Sequence, residues 1–426
     1  MRSFLEAKSL PFYGNTVVRA AFVLAMFGWG VGFYGPPIFL HAVIERTGWS
    51  LSMVSAAITF HFLFGAGVVA FLPRIHRRFG VPQATAVGAI VLAVGIVGWA
   101  SVTQPWQLFV AAMFTGAGWV PLGAAGINAI ISPWFVNNRP MALAKAYNGA
   151  SVGGMVFSPL WVALIHRFGF PAASKMVGLV MIAIVLALAS RVISRTPADR
   201  GQHADGVAPE GLDTKGIASE QKVSAHSELW RSRAFVTLAV AMALGLFAQI
   251  GLLSQLFSMM VPIFGAQVSG WIMALATGCG MGGRLVMARL LGIQTNRRYA
   301  ASASYAIQAL GTLLLWMAGL DQLPFIVLGV ALFGLGIGNA TSLPPLIAQT
   351  DFARVDVPRV VARCVAFSQA LYAFAPVALA VLLVDGGHGV PSTGIGTHPY
   401  FFAVFLVQCL AIVCMLTGRR SRAVHL

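Results

Sequence analysis

The chain has 426 residues, of which 58% are hydrophobic and 9% charged, and it carries a formal charge of +16. Soluble domains contain about 25% charged residues, so this composition excludes a soluble globular fold. The positive charge does not indicate a nucleic-acid partner, because its distribution along the chain follows membrane topology.

Apolar runs of about 20 residues recur throughout, each long enough at 1.5 Å per residue to cross a hydrocarbon core of about 30 Å. Spans are predicted at 17–40, 51–72, 84–102, 106–131, 142–164, 171–193, 235–262, 268–291, 299–319, 323–348, 361–384 and 399–417, giving an all-α polytopic membrane protein with twelve transmembrane helices. With both termini on one side, every Lys and Arg falls on that side except Arg46, Arg167, Lys175 and Arg284. The positive-inside bias makes that side cytoplasmic, which suits an inner or plasma membrane. Arg2, Lys8 and Arg19 precede the first span without a small-residue cleavage site, so this helix is expected to be retained.

The first helix carries Trp29 and Tyr34, candidate cavity residues, followed by Pro36-Pro37, a pair expected to kink it. His61 lies near the centre of the second span. No carboxylate occupies a span core, so His61 is the candidate proton carrier, since imidazole titrates near neutral pH. A neutral histidine bonded to a neighbouring helix is the competing reading. Trp119 on the fourth helix and Asn148 on the fifth are candidate substrate contacts. Against them stands the ordinary alternative that aromatics pack and that amides bond a neighbouring helix for about 0.6 to 2 kcal/mol.

From 196 to 234 the chain becomes polar and rich in Gly and Ala, and it reads as a flexible cytoplasmic linker. It divides a six-helix bundle, 1–195, from a second, 235–426. The two are weakly alike. A shift of 215 lays Gly30, Gly65, Gly67 and Arg74 on Gly245, Gly280, Gly282 and Arg289. A shift of 218 lays Gly116 and Gly118 on Gly334 and Gly336, and one of 220 lays Arg139, Ala142, Ala146 and Ala150 on Arg359, Ala362, Ala366 and Ala370. Parallel repeats of this kind place a substrate near the midplane, between the halves.

In the second half Gln255, on the seventh helix, joins the candidate contacts. The eighth span contains GCGMGGRLVMARLLG, residues 278 to 292, in which Gly278, Gly280 and Gly283 satisfy G-x-G-x-x-G. A dinucleotide turn needs a preceding strand and an acidic residue about 20 positions later. Here the glycines interrupt a membrane helix, and no Asp or Glu occurs between Glu228 and Asp321. They read as a seam for close helix crossing, as do Gly65/Gly67, Gly116/Gly118 and Gly334/Gly336/Gly338.

Arg284 lies about seven residues, roughly 10 Å, from the cytoplasmic end of its helix. Arginine at membrane depth costs about 2.5 to 3.5 kcal/mol on insertion scales, so it is expected to face a cavity or a partner. With no fixed carboxylate in a span core, its natural counter-ion is an anion that comes and goes, held by the guanidinium fork. Snorkelling to the cytoplasmic face is the alternative. Asn339 on the tenth helix and Gln369 and Tyr372 on the eleventh complete the candidate contacts, and Pro344-Pro345 is expected to kink the tenth. His388 and His398 match no metal motif, and Cys279, Cys364, Cys409 and Cys414 read as packing residues. No metal or cofactor is expected, and the absence of G-x-x-x-x-G-K-[ST] argues against an ATPase.

The stretch PWFVNNRPMALAKAYNGASVGGMVFSPLW, residues 133 to 161, resembles the fifth-helix signature of the monocarboxylate transporter family, in the monocarboxylate transporter / oxalate-formate antiporter branch of the major facilitator superfamily. Trp134, Phe135, Arg139, Ala142, Gly149, Gly153, Pro159 and Leu160 carry the resemblance. It implies the major facilitator fold, with two six-helix pseudo-repeats, and an eighth-helix arginine that contacts the substrate carboxylate, which Arg284 matches. There are departures. In LPRIHRRFG (72 to 80) Arg77 stands where relatives usually have Asp, and Gly280 stands where proton-coupled members carry Asp. The first-helix Lys of those members and the eleventh-helix Lys of the oxalate and formate exchangers have no counterpart. One buried cation suits one carboxylate, so a monoanion is expected.

The resemblance thus implies transport of a small organic anion, a monocarboxylate, by alternating access, with uniport, exchange and proton symport all open. The alternatives are a multidrug or amphiphile exporter of the same fold and a non-transporting membrane sensor. An enzyme is disfavoured, because the span cores lack paired carboxylates and a nucleophile with an evident base. The expected partners are the anion and the lipid bilayer, with no nucleic acid and a monomeric state.

Overall fold

The computed structural model describes residues 11–206, 226–290, 296–318, 322–353, 356–383 and 399–418, which are predominantly helical and contain no β-strand. Among them, eleven helical segments are long and apolar enough to cross a membrane. One of these, Arg233–Leu290, has 58 residues, nearly three times what about 30 Å of hydrocarbon needs. It is broken at Gly265, where φ is 74° and ψ is 164°. The segment therefore makes two passes, 233–264 and 266–290, and the passes number twelve. Gly80 and Gly169, with φ of +81° and +77°, join consecutive helices through a single residue in the same way. Only glycine enters this backbone region without steric cost.

The first pass comprises α1 (Gly14–Gly32) and α2 (Gly35–Thr47); the second is α3 (Leu51–Phe79) and the third α4 (Val81–Ser101). The fourth is α5 (Pro105–Trp119) with α6 (Ala124–Ile131), the fifth α7 (Arg139–Phe168) and the sixth α8 (Phe170–Leu188). A short α9 (His226–Arg231) precedes α10 (Arg233–Leu290), the seventh and eighth passes. The ninth is α11 (Arg297–Met317), the tenth α12 (Leu323–Ile337) with α13 (Asn339–Asp351), the eleventh α14 (Val357–Tyr372) with α15 (Ala375–Ala380), and the twelfth α16 (Pro399–Thr417).

Four passes are broken in mid-span, and proline explains three of the breaks, because it offers no N–H to the carbonyl four residues earlier. Pro36 and Pro37 release the Gly32 and Phe33 carbonyls at the α1–α2 break, Pro121 sits in the 3-10 turn Val120–Leu122, and Pro376 releases the Tyr372 carbonyl. The expected kink at Pro36-Pro37 is therefore present. Pro344-Pro345 instead lies inside α13, and its pass breaks at Gly338, between α12 and α13.

The glycine seams are real but selective. A Cβ at Gly116 would strike the His61 carbonyl, one at Gly338 the Gly280 carbonyl, and one at Gly283 the Leu335 carbonyl. Gly67 and Gly282 have nothing within 4 Å and belong to no seam. The repeat is likewise one of sequence more than of burial: Ala142, Ala146 and Ala150 are buried, whereas Ala362, Ala366 and Ala370 are exposed.

At the end of the molecule that carries 196–206, here called the linker side, each bundle is tied by polar contacts. Arg298, 2% exposed, donates to Asp351 Oδ2 at 2.7 Å and to Thr237 Oγ1, Met415 O and Ala234 O, joining α10, α11, α13 and α16. In the first bundle Asp205 accepts from the backbone N–H groups of Asn137 (2.7 Å), Val136 and Asn138 (both 3.2 Å), just ahead of α7. These donors, Asn137 first, hold the Asp205 carboxyl below the usual carboxylate range. Gln202 Oε1 accepts from Tyr13 N at 2.9 Å. On the other side of the gap, Leu229 is buried and Trp230 packs on Phe235 and Phe367. The stretch 196–234, expected to be flexible throughout, is thus folded at both ends, while 207–225 lies outside the described residues, as do His388 and His398.

Candidate functional site

The halves meet most extensively where α7 runs against the second limb of α10. A Cβ at Gly270 would lie 3.1 Å from Pro159 Cα, and one at Gly154 would lie 2.6 Å from Thr277 Cγ2, so small residues set the spacing along this seam. Further toward the linker side the same two helices bring Asn148 and Arg284 together. Arg284 Nη1 donates to Asn148 Oδ1 at 3.4 Å, and its Nε donates to the Gly338 carbonyl, at the break of the tenth pass, at 3.2 Å. The guanidinium is therefore turned into the interface between the halves rather than toward the helix end.

Among the described residues no carboxylate pairs with Arg284; ion pairs such as Arg298–Asp351 and the His41–Glu45 contact lie elsewhere. Gly280, one turn earlier on the same helix face, packs closely on the tenth pass. A Cβ there would lie 3.3 Å from both the Gly334 carbonyl and Ile337 Cβ. An Asp at this position would be wedged against α12 and Gly338, whose carbonyl accepts from Arg284.

Tyr34, 6% exposed, stands at the α1–α2 break within electrostatic reach of Arg284. A Cβ at Gly154 would touch its ring at 2.7 Å, so the glycine makes room for the phenol. Trp119, at the end of α5, is 8% exposed, and its Nε1 has no hydrogen-bond partner among the described residues. His61 is fully buried, with Nδ1 2.9 Å from Thr115 Oγ1, which also accepts from Trp99 Nε1 at 3.3 Å. The Gly32 carbonyl released by Pro36 approaches the imidazole without meeting hydrogen-bond geometry at Nε2. Tyr372 is half-buried with its ring 5.8 Å from Phe62 of the other half, and Gln369 lies half-buried about one turn before it.

Two candidates lie elsewhere. Gln255 is fully buried and donates to Ser55 Oγ at 3.0 Å and Pro376 O at 3.3 Å, fastening α3, α10 and α15 on the side away from the linker. Asn339 is 3% exposed and lines a crevice inside the second bundle with Ser304, Tyr305 and Leu343, donating to Leu335 O at 3.4 Å. The residues not singled out from sequence are Phe33, Phe62 and Tyr147, whose rings join those of Trp29 and Trp119. Helical spacing of Met26, Trp29 and Phe33 was the available signal, shared with any packing face.

Comparison with known proteins agrees with this architecture. MFS-type transporter 1 of Ophiocordyceps is 26% identical over 71% of this chain, which spans 63% of that protein's length. MFS transporter asaE of Aspergillus flavus is 26% identical over 76% of this chain and 69% of its own. A bacterial homologue of the human lysosomal transporter Spinster, in an inward-facing and unoccupied conformation, superposes with a TM-score of 0.71 at 14% identity, covering 97% of this chain and 100% of that one. The nucleoside transporter NupG gives 0.68 at 11% identity, over 94% and 98%. At such identities the structural likeness shows the fold alone. Residues 20–376 match the Major Facilitator Superfamily: the chain belongs to that family.

Proposed function

We propose that the chain transports a small organic anion, a monocarboxylate, with Arg284 as the carboxylate anchor and Asn148 beside it. The observation that carries this reading is a guanidinium turned into the interface of the halves with only neutral partners among the described residues, an amide and a backbone carbonyl. Those bonds use two of its five N–H donors. A carboxylate both neutralises the charge and matches the fork, and a single guanidinium suits a single carboxylate. Bundles 1–195 and 235–426 rock about this site, in an inner or plasma membrane with both termini cytoplasmic. Uniport, exchange and proton symport are all compatible with the site, and His61 is the candidate for a proton path.

In proteoliposomes containing the purified chain, Arg284→Ala is expected to lower carboxylate uptake by about 10- to 100-fold, the cost of losing a charged hydrogen-bonding partner. Arg284→Lys, which keeps the charge but not the fork, is expected to fall between this variant and the wild type. Undiminished uptake in Arg284→Ala would return the assignment to an exporter of cationic or neutral amphiphiles.

A further inference from the structure

Met26 and Trp29 on α1 and Phe33 just past its end form a half-buried stripe. Trp29 lies 6.1 Å from the ring of Trp119, on α5, and 6.1 Å from that of Tyr147, on α7. Helices thus flank the stripe on both sides, and it opens into the molecule rather than onto lipid. Phe33 continues the wall, 5.0 Å from Tyr34, 5.9 Å from Phe62 and 6.1 Å from Trp119. Phe62 then reaches Tyr372 of the second half. The wall continues through Tyr34, 5.0 Å from Phe33, to Gly154 and Thr277, where α7 meets the limb of α10 that carries Arg284, so it adjoins the cationic anchor along the same interface.

The wall also holds two buried polar atoms without a hydrogen-bond partner among the described residues, Trp119 Nε1 and His61 Nε2, on rings stacked 5.9 Å apart at 27°. A hydroxyl group matches both. It accepts from the indole N–H, and it donates to or accepts from Nε2 whichever imidazole nitrogen carries the proton. A purely aliphatic acid would leave both atoms unsatisfied and would forgo the edge and offset contacts that aromatic rings prefer.

We propose that the substrate is an aromatic carboxylic acid with a hydroxyl on its ring, held at the carboxylate by Arg284 and Asn148 and at the ring by Trp29, Phe33 and Trp119. This rests on the carboxylate reading of Arg284 and sharpens it. Binding of benzoate, 4-hydroxybenzoate, cyclohexanecarboxylate and propionate to the purified full chain, by calorimetry, tests both levels. Benzoate is expected to bind up to about tenfold more tightly than cyclohexanecarboxylate, from ring geometry alone, and 4-hydroxybenzoate more tightly still. Trp29→Leu should bring the first ratio toward one, with Trp29→Phe partly restoring it, and Trp119→Phe should remove the preference for the hydroxyl. Arg284-dependent binding that is equal for the aromatic and aliphatic acids would overturn this inference and leave the carboxylate transporter standing, and equal binding of benzoate and 4-hydroxybenzoate would overturn the hydroxyl assignment. Failure of every acid to bind the wild type, or binding that survives Arg284→Ala, would overturn both levels.

Discussion

Arg284 is oriented by its two protein partners without being neutralised by them, and the weaker of the two is the one a substrate can replace. The bond to Asn148 Oδ1 is 3.4 Å long, well beyond the usual 2.9 to 3.0 Å for N–H···O, whereas carboxylates approach guanidinium to about 2.7 to 2.9 Å. His61 has the opposite character: its Nδ1 is held by Thr115, whose hydroxyl oxygen is shared with Trp99, so the ring cannot turn without breaking a buried network. Only Nε2 is available to exchange a proton. We expect His61→Gln to fold, since an amide can replace the Thr115 contact, and to show uptake whose pH dependence is flattened relative to the wild type. A pH profile that superposes on the wild type would take His61 out of the proton path.

Helix breaks and glycine seams do complementary jobs at the scale of elements. Breaks expose backbone carbonyls in mid-span, where only a polar lining tolerates them, and Tyr34, Trp119, Gly338 and Tyr372 all lie at such breaks. The seams fix which helices hold those breaks in register, and adjacent glycines can differ completely in this respect. Gly283→Ala would drive a methyl into the Leu335 carbonyl, while Gly282→Ala meets nothing within 4 Å. Overpacking costs about 1 to 3 kcal/mol even where side chains can yield, and here the obstacle is backbone. Thermal unfolding in detergent should show Gly283→Ala strongly destabilised and Gly282→Ala unchanged; similar melting of the two would mean that α10 and α12 are not in this register. The spacing of small residues made the seam legible in the sequence, but spacing cannot tell which of two neighbouring glycines faces the partner. The same limit separated Arg284 from Gln255 and Asn339. A charge at membrane depth has few tolerable surroundings, so its place followed from physics alone, whereas an amide finds a carbonyl or hydroxyl on almost any neighbouring helix.

For the whole molecule, hydropathy separated all twelve passes, 235–262 and 268–291 included; in the fold the seventh and eighth run together as one helical segment, because a single glycine, Gly265, is all that divides them. What no one-dimensional pattern could convey is which end of the molecule is closed. Contacts between the halves run through α2 with α10, α3 with α14 and α15, and α7 with α10, whereas α6 and α13, which end on the linker side, share no extended packing with each other. Alternating access requires the contacts away from the linker to release while the site is kept, and the polar one among them is Gln255, bonded to Ser55 across the halves and to Pro376. Gln255→Leu removes both bonds yet fills the same apolar space. Only the Ser55 bond crosses the halves, so at about 1 kcal/mol for that hydrogen bond the open-to-closed ratio at that end should rise by about 5-fold. Spin labels placed at the ends of α2 and of the 266–290 limb away from the linker would report this as a larger population at long distance. A distance distribution identical to that of the wild type would show that ring and side-chain packing, such as that of His41 against Phe257 at 5.5 Å, holds this end shut without help from the amide.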